Sequence, residues 1–293
     1  DGQAVLRTGR IAVDNIYVVQ GDVDVTTGNI EFNGDIHING NVRSGFSVKA
    51  KGNIEINGVV EAAEITAGKN IFIRNGIQGM KRAYIVADGN ITTKFIENAT
   101  VYSKGFIESN SILYSDITSE KSITVKGKKA NIVGGVVRSE GIIECYNAGS
   151  VMGSRTILQI GYPENIEDCI HDVVKSISDL RTNKQELLKV INYYKKLMRK
   201  TDETTKEQLQ IVKQLVEKTK EVMCEMEQQK RTYARLKRLI DREETEEDIV
   251  IVSGQAYQGI RIEINGASLV LRDGTTNCVY KKKDEHNIKI FSR

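Results

Sequence analysis

The sequence predicts a mainly β fold, a parallel β-helix into which a long antiparallel α-helical coiled-coil hairpin is inserted. Three observations carry that expectation. A short phrase, "GNIEFNGDIHINGNV" at residues 28–42, returns again and again through the first half of the chain. Glycine then disappears between residue 162 and Gly254, where Lys, Glu, Gln and Leu take over. Beyond residue 248, apolar and polar residues again alternate in the manner of strands.

The repeat comes first. The phrase reappears as "GNIEING" (52–58), "KNIFIRNG" (69–76), "GNITTKF" (89–95), "GFIESNS" (105–111), "KSITVKG" (121–127) and "GIIECYN" (141–147). Its leading aliphatics, Ile36, Ile54, Ile71, Ile91, Ile107, Ile123 and Ile143, lie 16 to 20 residues apart. A second series runs Val42, Val60, Ile77, Ile96, Ile112, Ile132, and a third Val48, Ile65, Ile85, Val101, Ile117, Val137. Three apolar columns, each met once per turn of the chain, describe a three-sided coil of short strands. Each rung covers an apolar face that its neighbour cannot bury alone. Seven or eight rungs at about 4.8 Å give a rod roughly 35–40 Å long. The corners carry Asn33-Gly34, Asn39-Gly40, Asn57-Gly58 and Asn75-Gly76, which suit positive φ. Asn-Gly also suits hairpins, but hairpins would not force the columns to recur in one order.

Two enzyme classes use such coils. A hexapeptide-like transferase would keep a strict six-residue side, whereas the intervals here drift after residue 45, and the one histidine in the coil, His37, is expected to point outward into solvent. A carbohydrate-active β-helix enzyme would need converging Asp, Arg or Lys beside long loops, and the segments between strands are short.

The helical insertion is announced by Pro163, with Glu164, Glu167 and Asp168 at the positive end of a helix. One heptad seam runs Ile170, Ile177, Lys184, Ile191, Met198 against Val173, Leu180, Leu187, Tyr194. After "RKTDETTKEQ" (199–208), where Thr204 and Glu207 fit a capping box, a second runs Val212, Thr219, Met226, Tyr233, Ile240 against Leu215, Val222, Gln229, Leu236. Helices of about 36 and 44 residues follow from these seams. "IVIVSG" (249–254), "GIRIEING" (259–266) and "SLVLRDG" (268–274) then return to the β domain. The expected division is 1–162 β-helix, 163–248 coiled-coil hairpin, and 249–293 strands returning to the β-helix.

Composition narrows the function. Lys+Arg 42 against Asp+Glu 39 leaves no basic field for nucleic acid. Cys145, Cys169, Cys224 and Cys278 lie far apart and away from the three histidines, which argues against disulfides, a zinc site or any metal. "GKKANIVGG" (127–135) does not precede a helix as a phosphate loop must; no cofactor is expected. No apolar run approaches the roughly 20 residues of a membrane span, so no membrane insertion is expected. The first residue is Asp1, not Met, and a segment upstream is expected.

The stretches "GDVDVTTGNIEFNGDIHINGNVRSGFSVKAKGNIEINGVVEAAEITAGKNIFIRNGI" (21–77), "KFIENATV" (94–101), "VKGKKANIVGG" (125–135) and "GSRTILQIGYPE" (153–164) resemble the flagellar assembly protein A family. That resemblance implies a right-handed β-helix of the kind also found in bactofilins and in the C-terminal domain of the septum inhibitor MinC. It implies a bacterial cytoplasmic protein linked to flagellar placement or assembly, without enzymatic activity, and with a further N-terminal domain. The expectation is a scaffold that self-associates as a homo-oligomer and holds a protein partner. Arg199, Lys200, Asp202, Glu203 and Lys206, at the polar turn between the helices, are the candidate contact.

Overall fold

In the structure, a computed structural model, residues 3–7, 10–127, 130–163, 165–200 and 206–293 are described. The chain divides into two units, Asp1–Glu164 with Glu244–Arg293, and Asn165–Glu243. The first unit is a parallel β solenoid. Its first column stacks Ile36 on Ile54, then Ile71, Ile91, Ile107, Ile123 and Ile143, and continues onto Val250. The second stacks Val23, Val42, Val60, Ile77, Ile96, Ile112, Ile132, Ala148 and Ala256. The third stacks Ile30, Val48, Ile65, Ile85, Val101, Ile117, Val137, Leu158 and Ile262. These side chains form the core, most of them fully buried. Each isoleucine removed from water contributes about 1.5–3 kcal/mol. Two strands upstream, Gln3–Arg7 and Arg10–Asp14, pair antiparallel as a separate sheet.

The uneven interval between turns has a local cause. Where the Gly76–Ala87 strand runs beside the Ile96–Ser103 strand, the register shifts between Gln78 and Ala83. The extra residues bulge out at a corner, with Met80 and Lys81 at φ 49° and 60°. The columns on either side of the bulge keep their alignment.

Of the four Asn-Gly corners, only Gly76 has the positive φ the sequence suggested, at 157°. Gly34, Gly40 and Gly58 are not at positive φ. They are glycines because the preceding rung lies too close for a side chain. A Cβ on Gly89 would lie 2.5 Å from Asn70 Oδ1 and 2.9 Å from the Lys69 carbonyl oxygen, and Gly52 and Gly105 meet Asp35 and Asn90 in the same way. The space is filled by a ladder of short polar side chains. Asp35 Oδ1 accepts the Asn53 backbone N–H at 2.6 Å, Asn53 Oδ1 accepts that of Asn70 at 3.2 Å, and Asn70 Oδ1 that of Asn90 at 2.9 Å. Asn90 Oδ1 then accepts the Phe106 N–H at 3.0 Å. The recurring Gly-Asn-Ile is therefore a three-part device: room, backbone capping and core.

This corner changes chemistry part-way along the coil. Ala50, Ala67 and Ala87 stack at the inner end of the third column, followed by Ser103, Ser119 and Ser139, all buried. The serine hydroxyls donate to Gly89, Gly105 and Lys121 carbonyls of the preceding rung, at 2.6, 2.7 and 2.9 Å. They take over where the asparagine ladder stops, so the corner is bonded first from outside and then from inside.

At the C-terminal end, parallel stacking gives way to antiparallel pairing. The Arg261–Ile264 and Ala267–Val270 strands form a hairpin whose turn is Asn265-Gly266, at φ 43° and 85°. Here Asn-Gly does supply the left-handed turn of a hairpin. The Thr275–Lys282 strand pairs antiparallel with Ile249–Ala256, and Ile288–Ser292 with Thr275–Lys282.

The second unit holds two helices, α1 (Ile166–Lys200) and α2 (Lys206–Ile240), which pack on each other. Asn165 caps α1, its carbonyl accepting the Cys169 N–H at 3.0 Å, so Pro163 lies before the cap. Leu187, Ile191, Val222 and Leu236 of the expected seams are buried. Two details differ. Ile240 is 49% exposed and Leu239 takes the buried position. α2 is shorter than its apolar pattern suggested, because residues 241–248 fold into a turn closed by Asp248, described below. Thr204, of the expected capping box, lies outside the described residues.

Gly89→Ala should destabilise the solenoid by about 1–3 kcal/mol, because neither Asn70 nor the Lys69 carbonyl can withdraw without losing a ladder bond. Gly21→Ala, with nothing within 4 Å of its Cβ, should be neutral or stabilising by up to about 1 kcal/mol. Urea unfolding followed by circular dichroism compares the two.

Candidate functional site

Cross-rung pairing also engages polar side chains on the outer faces. His37 points outward between Ile36 and Ile38, but it is half-buried instead of solvated. Its Nδ1 lies 3.1 Å from Glu55 Oε2, and its Nε2 lies 2.9 Å from Asn39 Oδ1 and 3.3 Å from Asn57 Nδ2. An imidazole oriented by a carboxylate is the arrangement of a general base. Both ring nitrogens, however, are engaged by polar neighbours on the same sheet face, and no nucleophile is among those partners. Cys145 is fully enclosed, and burial pushes its thiol up to about 12, far from the reactive range. Among the described residues no group of three His, Cys, Asp or Glu is placed to hold a metal ion. Among those residues, too, no helix is long and apolar enough to cross a membrane.

A charge cluster lies at a corner of the first rungs. Arg43 Nη2 reaches Asp22 Oδ2 at 2.7 Å, and Arg43 Nη1 reaches Glu61 Oε1 at 2.8 Å. Glu61 Oε2 also accepts from the Ser44 N–H and hydroxyl, both at 3.1 Å. The Asn41 backbone N–H, donating to Asp22 Oδ1 at 2.7 Å, holds the Asp22 carboxyl below its ordinary value, helped by Arg43. The Arg43 guanidinium does the same for Glu61, and the two carboxylates raise the Arg43 pKa further. One guanidinium thus ties successive turns together.

A second cluster sits where the solenoid chain leaves for the helices and comes back. Asp248, 3% exposed, accepts from the Thr245 N–H and hydroxyl and, at 2.7 Å, from Asn265 Nδ2. Lys282 Nζ donates to the Asn265 carbonyl at 2.8 Å and to Glu244 Oε1 at 2.5 Å, and lies 6.0 Å from the centre of the Tyr162 ring. The Tyr162 hydroxyl donates to Glu244 at 3.4 Å. Sequence reasoning missed this clasp. Its only signals were an acidic residue directly before "IVIV" and a turn-forming Asn-Gly.

The predicted contact residues fall where α1 ends and α2 begins. The backbone of Arg199 and Lys200 closes α1 and that of Lys206 opens α2. Asp202 and Glu203 lie outside the described residues.

Turns bonded to one another by an amide ladder in the earlier rungs and by serine hydroxyls in the later ones, around three aliphatic columns, define a parallel β solenoid. The chain matches the flagellar assembly protein A beta solenoid domain over residues 15–288 and belongs to that family. No curated protein and no solved structure is matched by the chain.

The Arg43 cluster makes a pH prediction. Asp22 and Glu61 have folded pKa values depressed below 3.8 and 4.5, so the unfolded chain binds protons that the folded chain does not. Their contribution is complete above those values and is lost as pH falls through and below them. Arg43→Met brings both carboxyls nearer their unfolded values. It should flatten the fall in the urea midpoint between about pH 5 and pH 3.

Proposed function

We propose that this chain is a non-enzymatic scaffold that works in flagellar placement or assembly, through self-association and contacts with a protein partner in the cytoplasm. The observation that carries the reading is the reach of the family match, which runs from the first rungs through the helices to the terminal strands. The helical insertion lies within the matched span. In this reading residues 1–162 and 249–293 make one rigid body, a right-handed coil in keeping with the usual sense of parallel crossovers. Residues 163–248 form an antiparallel coiled-coil hairpin, supported by the burial of Leu187, Ile191, Val222 and Leu236 along one seam. Arg199, Lys200, Asp202, Glu203 and Lys206, at its tip, make the contact. No cofactor and no nucleic acid enters.

A carbohydrate-active enzyme or a hexapeptide-like transferase needs polar side chains that converge on a substrate. On the outer faces, polar side chains such as His37 and Arg43 instead bond to the neighbouring rung. A shallow groove along α1, lined by Lys175, Asp179, Leu180 and Asn183 among others, offers one lysine and scattered carboxylates on the surface of a single helix.

Replacing residues 165–243 with a short Gly/Ser linker should leave the solenoid folded, since Glu244 and Asp248 of the clasp are kept. Tyr162 and Glu244 stand within hydrogen-bond reach, so the gap to be bridged is small, and no residue of the three columns is removed. Circular dichroism should keep the β signal and lose the helical one. Affinity capture of the tagged full-length protein from its own cells, with mass spectrometry, should lose its specific partners in the deletion. Unfolding of the deletion, or retention of every partner, overturns the assignment of the helices as the binding element.

A further inference from the structure

We infer that two copies of the chain join edge to edge through the Ile288–Ser292 strand, extending the terminal antiparallel sheet across a two-fold axis. This rests on the reading of the chain as a self-associating scaffold and names the surface that does it.

The terminal sheet runs Ile249–Ala256, Thr275–Lys282, Ile288–Ser292, and among the described residues the last strand is paired on one side. Which of its backbone groups are free follows from the ladder. The Lys283 N–H donates to the Asn287 carbonyl and the Arg293 N–H to the Asn277 carbonyl, both at 2.9 Å. Bonded pairs alternate in an antiparallel ladder, so residues 287, 289, 291 and 293 face inward along the sheet. The N–H and C=O of Ile288, Ile290 and Ser292 face outward, an open row of donors and acceptors.

The side chains along this edge suit the same occupant. Ile290 stands opposite Tyr280, which is fully buried, and therefore lies on the core side of the sheet. It is nonetheless 38% exposed, because the core ends beside it. A continuing sheet would cover it.

The strand is also complementary to itself. A two-fold axis can sit on any residue of the strand; on Lys289 it would set ammonium against ammonium, and on Phe291 it would set Lys289 against Arg293. Centred on Ile290, it sets Ile290 against its own copy, Ile288 against Ser292, and Lys289 against Phe291. The whole strand is then paired, and no lysine faces a lysine. The Lys289 ammonium already lies 4.8 Å from the centre of the Phe291 ring of its own chain, so a second ring across the axis adds a further site of the same kind. An edge lysine ordinarily guards against such pairing, and this register is the one that disarms it. The contact is isologous and closes after two copies.

Light scattering on the full chain should give twice the single-chain mass of 32.7 kDa. Ile290→Pro removes only an outward-facing donor, as proline is tolerated at a sheet edge; it should halve the measured mass and leave the circular dichroism unchanged. A second variant does not depend on that substitution folding. Across a bonded antiparallel pair the Cα atoms lie about 5.5 Å apart, within disulfide range. With Cys169 and Cys224 replaced by serine, Ile290→Cys should cross-link two chains on mild oxidation, and Ile288→Cys, which faces Lys282 in its own chain, should not. A dimer that survives Ile290→Pro and gives no cross-link at 290 overturns this surface while leaving self-association standing. A parent that stays monomeric at high concentration overturns both.

Discussion

Everything in the solenoid follows from stacking one turn of chain directly on the last. At a rung spacing of about 4.8 Å, each residue has its counterpart from the next turn as nearest neighbour, so a position must be able to pack against its own kind. Isoleucine meets this demand inside, where its branched side chain fills a half-turn of the coil and stacks without a polar atom to satisfy. Asparagine meets it outside, since its amide both donates and accepts and its carbonyl oxygen reaches the backbone one rung on. Glycine meets it at the corner by having nothing there to collide.

The same constraint decided what could be read from sequence. The three columns were legible because burial selects Ile and Val at fixed phase, and a period shows even where its interval wavers. The role of the glycines was not, because Gly34 and Gly266 follow asparagine alike and look the same on paper. One sits against the preceding rung and the other turns a hairpin at φ 85°. The strands at Thr275–Lys282 and Ile288–Ser292 were hidden by "KKKDEH", whose charges belong to a turn and an exposed face. The clasp around Asp248 was hidden for a different reason: its partners Asn265 and Lys282 come from separate returning segments, and no local pattern joins them. Leu239 replacing Ile240 at the end of α2 shows how a seam drifts once a helix nears its end.

The long insertion is accommodated with little disturbance to the coil. The Gln255 N–H still donates to Asn147 Oδ1, 108 residues away, at 2.8 Å, and Val250 still stacks on Ile143. A pair of helices packed on each other brings its two ends together, so closing so long a loop costs far less than for a flexible chain. The clasp of Tyr162, Glu244 and Lys282 then fixes the point of return.

The change of corner chemistry between Asn90 and Ser103 bears on how such a coil can lengthen or shorten in evolution. A turn copied within the asparagine-cornered block, such as residues 52–68, presents glycine and an amide ladder to both neighbours and can be inserted beside its parent without loss. A turn from the serine-cornered block carries its hydrogen bonds on the inside and has Phe106 or Ile142 where the ladder expects an amide. Placed among the earlier turns, it would interrupt the amide chain and leave the next backbone N–H without its acceptor. The repeat therefore has a grammar: turns are interchangeable within each block, and the junction between blocks is a place where duplication or deletion by unequal crossing-over is poorly tolerated.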